Sequence, residues 1–160
     1  MFHVKQKYDV IVVGAGHAGV EAATMSSRLG MKVAIVTFDM TDIGTLSCNP
    51  AMGGLGKGHL IREIDALGGL IGIASDKSGI QFRVLNKTRG AAVQGPRAQI
   101  DRNLYKLNML SLLKKEDVEI IEDEVEDIKT GTFKGNANIS GIALVKRGVL
   151  LCRSVIITTG

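Results

Sequence analysis

The sequence contains no tryptophan, and only 2 tyrosines and 4 phenylalanines in 160 residues. So few rings cannot build the stacking platform on which single-stranded nucleic acid is laid out. Its 2 cysteines, Cys48 and Cys152, are too few for a disulfide framework and carry no metal-ligand spacing, so neither a stapled secreted fold nor a metal site is expected. Long hydrophobic runs are missing as well. The longest aliphatic stretch, Val10–Val13, has 4 residues, against the roughly twenty needed to span a bilayer. The opening MFHVKQKYDV has neither the apolar centre of a signal peptide nor the Arg- and Ser-rich character of a transit peptide. A cytoplasmic protein without a membrane partner is the expectation. Proline is scarce too, at 2 residues, whereas glycine is abundant at 20, against roughly eleven for average usage. Those glycines follow no collagen-like period, so they mark tight turns or close backbone approaches. With 45% hydrophobic and 22% charged residues, disorder is excluded, and the length fits about one domain.

The net charge of +4 is unevenly spread. Arg83, Lys87, Arg89, Arg97, Arg102 and Lys106 share their stretch with a single acid, Asp101, whereas Glu116 to Asp127 holds eight acids and no base. On charge alone the basic stretch reads equally as a surface for an anionic partner or as a solvated helix face.

Local patterns predict an α/β fold. Val10–Val13 is a short β-branched run of the kind that forms a fully buried parallel strand. A helix is predicted over about 18–29, stopped by Gly30, and a second strand over 32–37, which makes a right-handed βαβ unit. Residues 39–58 read as irregular. A helix is predicted over about 57–67, a short strand over 80–86 and a longer helix over about 98–115, with apolar residues at 100, 104, 107, 110 and 113. A strand over 118–128, a turn formed by GTFKGNANISG, a hairpin around Arg147-Gly148 and a last strand over 155–159 complete the prediction. The late antiparallel excursion sets this pattern apart from a plain doubly wound sheet.

Gly14-x-Gly16-x-x-Gly19 follows the first strand and opens the first helix, the context in which this spacing binds a dinucleotide. Gly14 permits the tight turn, Gly16 leaves the pyrophosphate unobstructed, and Gly19 lets helix and strand approach. The phosphates would rest on the unpaired N–H groups at the positive end of the helix. An acid about 20 residues further on usually holds the ribose. Asp39 has that spacing, but Thr37 is the residue that ends the second strand, and Thr37 is the preferred ribose partner. The strands that follow and the terminal Val155-Ile156-Ile157-Thr158-Thr159-Gly160 resemble the second characteristic stretch of glutathione-reductase-type FAD domains. That resemblance implies FAD rather than NAD as the resident cofactor. It also implies a backbone approach at Gly160, and an adenine contact from Val125 on the strand after the long helix.

The run Ser47-Cys48-Asn49-Pro50-Ala51-Met52-Gly53-Gly54-Leu55-Gly56-Lys57-Gly58-His59 is not a Walker A loop, since Ala51 stands at its first glycine and Gly58 at its Ser/Thr position. It reads as a loop hugging a ligand. Cys48 is either a packed free thiol or a thiolate activated by Lys57 and a helix N-terminus.

Taken together, GAGHAGVEAA, SCNPAMGGLGKGHLIREIDALGG and GIQFRVLNKTRGAAVQGPRAQIDR closely resemble the glucose-inhibited division protein A family, the FAD-binding subunit of the enzyme that places a carboxymethylaminomethyl group on tRNA wobble uridines. The match is densest between Ser47 and Arg102, and Thr37 in place of the usual acid agrees with it. The resemblance implies a glutathione-reductase-type FAD domain and action at C5 of uridine 34. It implies NADH and methylene-tetrahydrofolate as co-substrates, a homodimer, and a partner GTPase that binds GTP and potassium. Carried over by motif, Gly14, Ala15, Gly16, His17, Ala18 and Gly19 would hold FAD. Cys48 would serve the chemistry, and Arg97 and Arg102 would contact tRNA phosphates. Gly90-Ala91-Ala92-Val93-Gln94 departs from the family's commoner Gly-Pro-Ala-Val-Arg and removes one arginine from that contact.

The resemblance also implies that residues 1–160 are the N-terminal portion of a longer enzyme, without the NADH-binding insertion and the C-terminal helical region. Two alternatives are a folate- and FAD-dependent tRNA uridine methyltransferase, against which the SCNPA and KGHLIREIDALGG runs speak, and a noncatalytic FAD-binding fragment. A flavin or NAD oxidoreductase acting on a small molecule is a more distant third.

Overall fold

The computed structural model describes residues 5–133 and 136–159. In chain order the elements are β1 (Lys5–Val13), α1 (His17–Arg28), β2 (Val33–Thr37), β3 (Ala51–Gly53), α2 (Lys57–Ala66) and α3 (Leu70–Ser78). They continue with β4 (Gly79–Leu85), β5 (Gly95–Ile100), α4 (Arg102–Leu113), β6 (Val118–Glu122), β7 (Val125–Phe133), β8 (Asn136–Leu144) and β9 (Gly148–Ile157). They fall into two compact units, one up to Ile43 and from Glu116 on, the other Gly44–Lys115.

The first unit is an α/β layer on a six-stranded sheet of order β6-β2-β1-β9-β8-β7. β6, β2, β1 and β9 run parallel, and β7, β8 and β9 form an antiparallel meander. The apolar run of β1 sits at the centre of the sheet, with Val13 beside Val36 of β2 and Ile157 of β9. All five residues of β2 are buried, which is why its sequence is continuous rather than alternating. Helix α1 turns a face of small residues, Gly19, Ala23 and Thr24 among them, into the interior. Tyr8, Ile11, Ile121, Ile142, Leu150 and Cys152 belong to one core cluster. The Tyr8 hydroxyl donates to Glu119 at 2.7 Å, and burial, followed by that carboxylate, pushes its phenol well above the usual range.

The strand predicted over 118–128 is two strands. Asp123 ends β6 by turning inward, 2% exposed. Its carboxylate accepts the Glu124 N–H at 2.8 Å and the Lys146 and Arg147 N–H groups at 3.1 Å each. One buried carboxylate thus organises both the break after β6 and the β8–β9 turn. Asp123→Ala would strand three donors, and a loss of about 2 kcal/mol is expected from the denaturant midpoint, with Asp123→Asn losing less. A native midpoint in the alanine variant would refute this anchoring role.

The predicted GTFKGNANISG turn is also largely strand. Its residues extend β7 and β8, pairing Gly131 with Asn138 and Thr132 with Ala137, while Lys134 and Gly135 lie outside the described residues. The hairpin around Arg147-Gly148 is present, but its second strand and the predicted last strand are one continuous β9.

The second unit contains elements that the sequence reading passed over. Residues 39–58, read as irregular, include a 3-10 turn (Met40–Asp42) and β3. Helix α3 follows α2 directly after Gly68-Gly69. β3, β5 and β4 form an antiparallel sheet in that order. The helix predicted over 98–115 begins at Arg102: residues 95–100 are β5, and the Asp101 carboxylate caps the helix by accepting the Leu104 N–H at 2.8 Å. Tyr105, Met109 and Leu113, one buried stripe at helical spacing, anchor α4.

Candidate functional site

The fingerprint glycines form a closed turn between β1 and α1. Gly14 has φ +99°, donates its N–H to the Val36 carbonyl at 2.9 Å, and lies so close to β9 that a Cβ would stand 2.8 Å from the Thr158 carbonyl oxygen. At Gly19 a Cβ would fall 1.9 Å from the Gly14 carbonyl oxygen and 2.7 Å from Thr158 Oγ1. Gly16 is different. It is extended, exposed and caps α1, and nothing lies within 4 Å of where its Cβ would be. Two glycines close the turn, and the third leaves open space at the end of a helix whose first N–H groups have no intrahelical partner. A diphosphate fits there. Ala15 is buried beneath the turn, His17 opens α1, and Ala18 is exposed beside Gly16.

Thr158 is the residue that the sequence reading missed. Its N–H donates to the Val13 carbonyl at 2.8 Å, and its hydroxyl lies 2.9 Å from Val13 O and 3.0 Å from Gly14 O. A threonine just past the end of an apolar strand was the available signal. Gly160 lies outside the described residues.

At the end of β2, Thr37 is buried, its hydroxyl donating to the Asp39 carbonyl at 3.1 Å. The Asp39 carboxylate accepts the Thr41 N–H at 2.6 Å and so caps the 3-10 turn. A second acid stands close by: Glu122 of β6 is the register partner of Thr37, and its carboxylate accepts the Met40 N–H at 3.2 Å. No linear spacing pointed to it, because β6 comes late in the chain. Val125 does not lie on the strand that follows the long helix. That strand ends at Glu122, and Val125 begins β7 opposite Leu144, beyond the Asp123 break.

In the second unit Cys48 is exposed on the irregular segment before β3. Arg102, first residue of α4, holds that segment: its Nη1 donates to the Leu46 carbonyl and its Nη2 to the Cys48 carbonyl, each at 2.7 Å. Further on, Ile100 N–H donates to the Pro50 carbonyl at 2.7 Å. Lys57, read as an activator of the thiol, places its ammonium 3.4 Å from the Ala51 carbonyl. The glycines read as hugging a ligand serve the fold in part, since a Cβ on Gly53 would meet the Pro96 carbonyl oxygen at 2.2 Å. Cys152 is a core thiol, which burial pushes up from its ordinary range.

Arg97 is exposed on β5, opposite Arg83 of β4. A cleft of about 850 Å³ opens between α2, α3 and the β4–β5 hairpin. Ile61, Ile73, Phe82, Asp65 and Asp76 are among its walls, Arg83 and Arg97 border it, and neither Cys48 nor Arg102 lines it. Among the described residues no helix is long and apolar enough to cross a membrane, and no His, Cys, Asp and Glu side chains gather as a metal site.

Comparison with known proteins adds a consistent set of matches. The sequence profile described as Glucose inhibited division protein A matches residues 9–160. A Nitratiruptor protein named tRNA uridine 5-carboxymethylaminomethyl modification enzyme MnmG is 48% identical over 155 residues, 96% of this chain and 24% of that protein. A Chlamydia felis protein of the same name is 50% identical over 147 residues, 90% of this chain and 24% of that protein. The crystal structure of Aquifex aeolicus GidA (form II) superposes with a TM-score of 0.88 at 43% identity, over 96% of this chain and 25% of that one. The chain spans about a quarter of the length of the relatives it matches.

Proposed function

Because the chain belongs to the glucose inhibited division protein A family, we propose that it is the N-terminal part of an FAD-dependent enzyme that adds a carboxymethylaminomethyl group to C5 of tRNA wobble uridine 34. The observation that carries this reading is the turn in which Gly14 and Gly19 are closed against Thr158 while Gly16 faces open space. Gly14, Ala15, Gly16, His17, Ala18 and Gly19 would hold the FAD diphosphate, Thr37 a ribose hydroxyl, Val125 the adenine through its backbone at the start of β7, and Gly160 the cofactor by a close backbone approach.

FAD, when bound, supplies two-electron redox chemistry. The proposed contribution of this chain to the carbon–carbon bond is made by Cys48, as nucleophile or as an acid/base at the same centre. C5 of uracil attacks poorly until a group adds at C6. As nucleophile, the Cys48 sulfur forms a bond to C6 and pushes electron density onto C5, which bonds to an electrophilic one-carbon unit. Loss of the C5 proton then expels the thiolate. Arg102 fixes the backbone on both sides of Ser47 through the Leu46 and Cys48 carbonyls. NADH and methylene-tetrahydrofolate are the proposed sources of hydride and of the bridging carbon, and an amine of the glycine class is the proposed source of the carboxymethylamino part, its nitrogen displacing the folate nitrogen from that carbon. Arg97, and Arg102 through the N–H groups it has left, are proposed phosphate contacts. The whole protein would act in the cytoplasm as a homodimer with a partner GTPase.

Nucleoside analysis of tRNA treated with the whole protein, its partner GTPase and the co-substrates tests the proposal. Carboxymethylaminomethyl-uridine at position 34 is expected. 5-Methyluridine would instead indicate the methyltransferase alternative, and unmodified tRNA with a flavin-loaded protein would indicate a noncatalytic FAD-binding module.

A further inference from the structure

The β4–β5 hairpin, Gly79–Ile100, contains Arg83, Lys87, Arg89 and Arg97 and not one acid, so its charge of +4 equals that of the entire chain. Arg83 and Arg97 are register partners in the antiparallel ladder, so their side chains leave the same face of the sheet directly opposite one another. Like charges in that position destabilise a sheet. Acidic neighbours normally relieve such a pair, yet among the described residues neither arginine has a carboxylate partner; the ion pairs present are Arg28–Glu116, Lys129–Asp127 and Arg153–Asp9. Gln81 and Gln99 form another rung on the same face, adding neutral donors beside the two guanidinium groups.

The loop at the tip is held in shape. Asn86, at φ 55°, donates its side-chain amide to the Val93 carbonyl at 2.9 Å, and Arg89 N–H closes onto the Asn86 carbonyl at 2.8 Å. The Gln94 amide lies 3.2 Å from the Lys87 carbonyl and 2.9 Å from the Arg89 carbonyl. Gln94 thereby fixes the backbone under the two tip cations. The side chains of Lys87 and Arg89 are themselves exposed.

We propose that this hairpin is an RNA-backbone grip, with the Arg83–Arg97 rung taking one phosphodiester and the Lys87–Arg89 tip a neighbouring one. It rests on the reading of the whole protein as a tRNA-modifying enzyme and narrows where the tRNA is held. Arginine suits the rung because its planar fork bonds phosphate oxygens bidentately, and a bound phosphate would turn two opposed cations from a liability into a site. The grip is distinct from Arg102, whose two terminal nitrogens are engaged by the Cys48 segment.

The test is binding of unmodified tRNA by the whole, flavin-loaded protein across a salt series. Wild type is compared with the double variants Arg83→Gln/Arg97→Gln and Lys87→Gln/Arg89→Gln, with Arg153→Gln as an exposed cation elsewhere. Each double variant is expected to lose at least about tenfold in affinity at low salt, and the slope of log K against log salt is expected to fall by about 2 for each. Flavin content should be retained, and the melting midpoint of the rung variant should be equal or higher, because a repulsion has been removed. Arg153→Gln should leave the slope alone. If wild type binds tRNA and both double variants match it in affinity and slope, the grip is overturned while the functional reading stands. If the double variants lose an acidic protein partner but not tRNA, the surface belongs to that protein and the grip is likewise overturned. If flavin-loaded wild type does not bind tRNA at all, both readings fail.

Discussion

Replacing Gly19 by valine is expected to cost about 3 kcal/mol or more and to empty the flavin site with it. The added Cβ would enter the van der Waals space of the Gly14 carbonyl oxygen, at 1.9 Å, and of Thr158 Oγ1, at 2.7 Å. The first of these is backbone and cannot rotate away. Relief requires α1 to lift from β1, and α1 is buried along Val20 and Ala23, so the penalty is that of overpacking a close-packed interior. The comparison variant is Gly16→Ala, whose methyl group would meet nothing within 4 Å and should change stability by less than about 1 kcal/mol. Denaturant midpoints distinguish the two. A native-like midpoint for Gly19→Val would mean that the turn does not close on Thr158 as described.

The second large effect is on chemistry rather than folding. Cys48→Ser is expected to lower uridine modification by the whole protein at least about a thousandfold, as loss of an essential nucleophile does, while FAD content and melting behaviour stay unchanged. The thiol is exposed and lies 3.8 Å from Ser47 Oγ, so no packing is lost. The Arg102 clamp grips carbonyls that serine retains. Modification at the wild-type rate in this variant would remove Cys48 from the mechanism. A fall in both modification and flavin would make it a structural residue.

What the sequence revealed and what it hid follow from the range of the interactions. The β1–turn–α1–β2 unit was legible because its signals are local: a β-branched run, spaced glycines and a glycine stop. The helix limits shift by one residue, from 18–29 to His17–Arg28. Elements whose limits depend on distant partners were not legible. The break after Glu122 exists because the Asp123 carboxylate finds N–H groups more than twenty residues away, at Lys146 and Arg147. The apolar stripe at 100, 104, 107, 110 and 113 gave the right helix with the wrong start, since Ile100 is equally apolar when it closes a strand. Within the site, Gly14, Gly16 and Gly19 could be named in advance. Thr158 and Glu122 could not, because sheet order brings them to the turn and to Thr37 from the far end of the chain. Arg97 and Arg102 look alike in sequence. The structure separates them, leaving one open on a sheet and committing the other to the Cys48 segment.

The account stands most directly on identification of the cofactor released by denaturing the whole protein, in wild type and in Gly16→Ala. Stoichiometric FAD from wild type is expected, with at least about tenfold weaker FAD binding by the Gly16→Ala protein, or about 1.4 kcal/mol, at near-native stability. Release of a different dinucleotide, or FAD binding by Gly16→Ala as tight as by wild type, would contradict it.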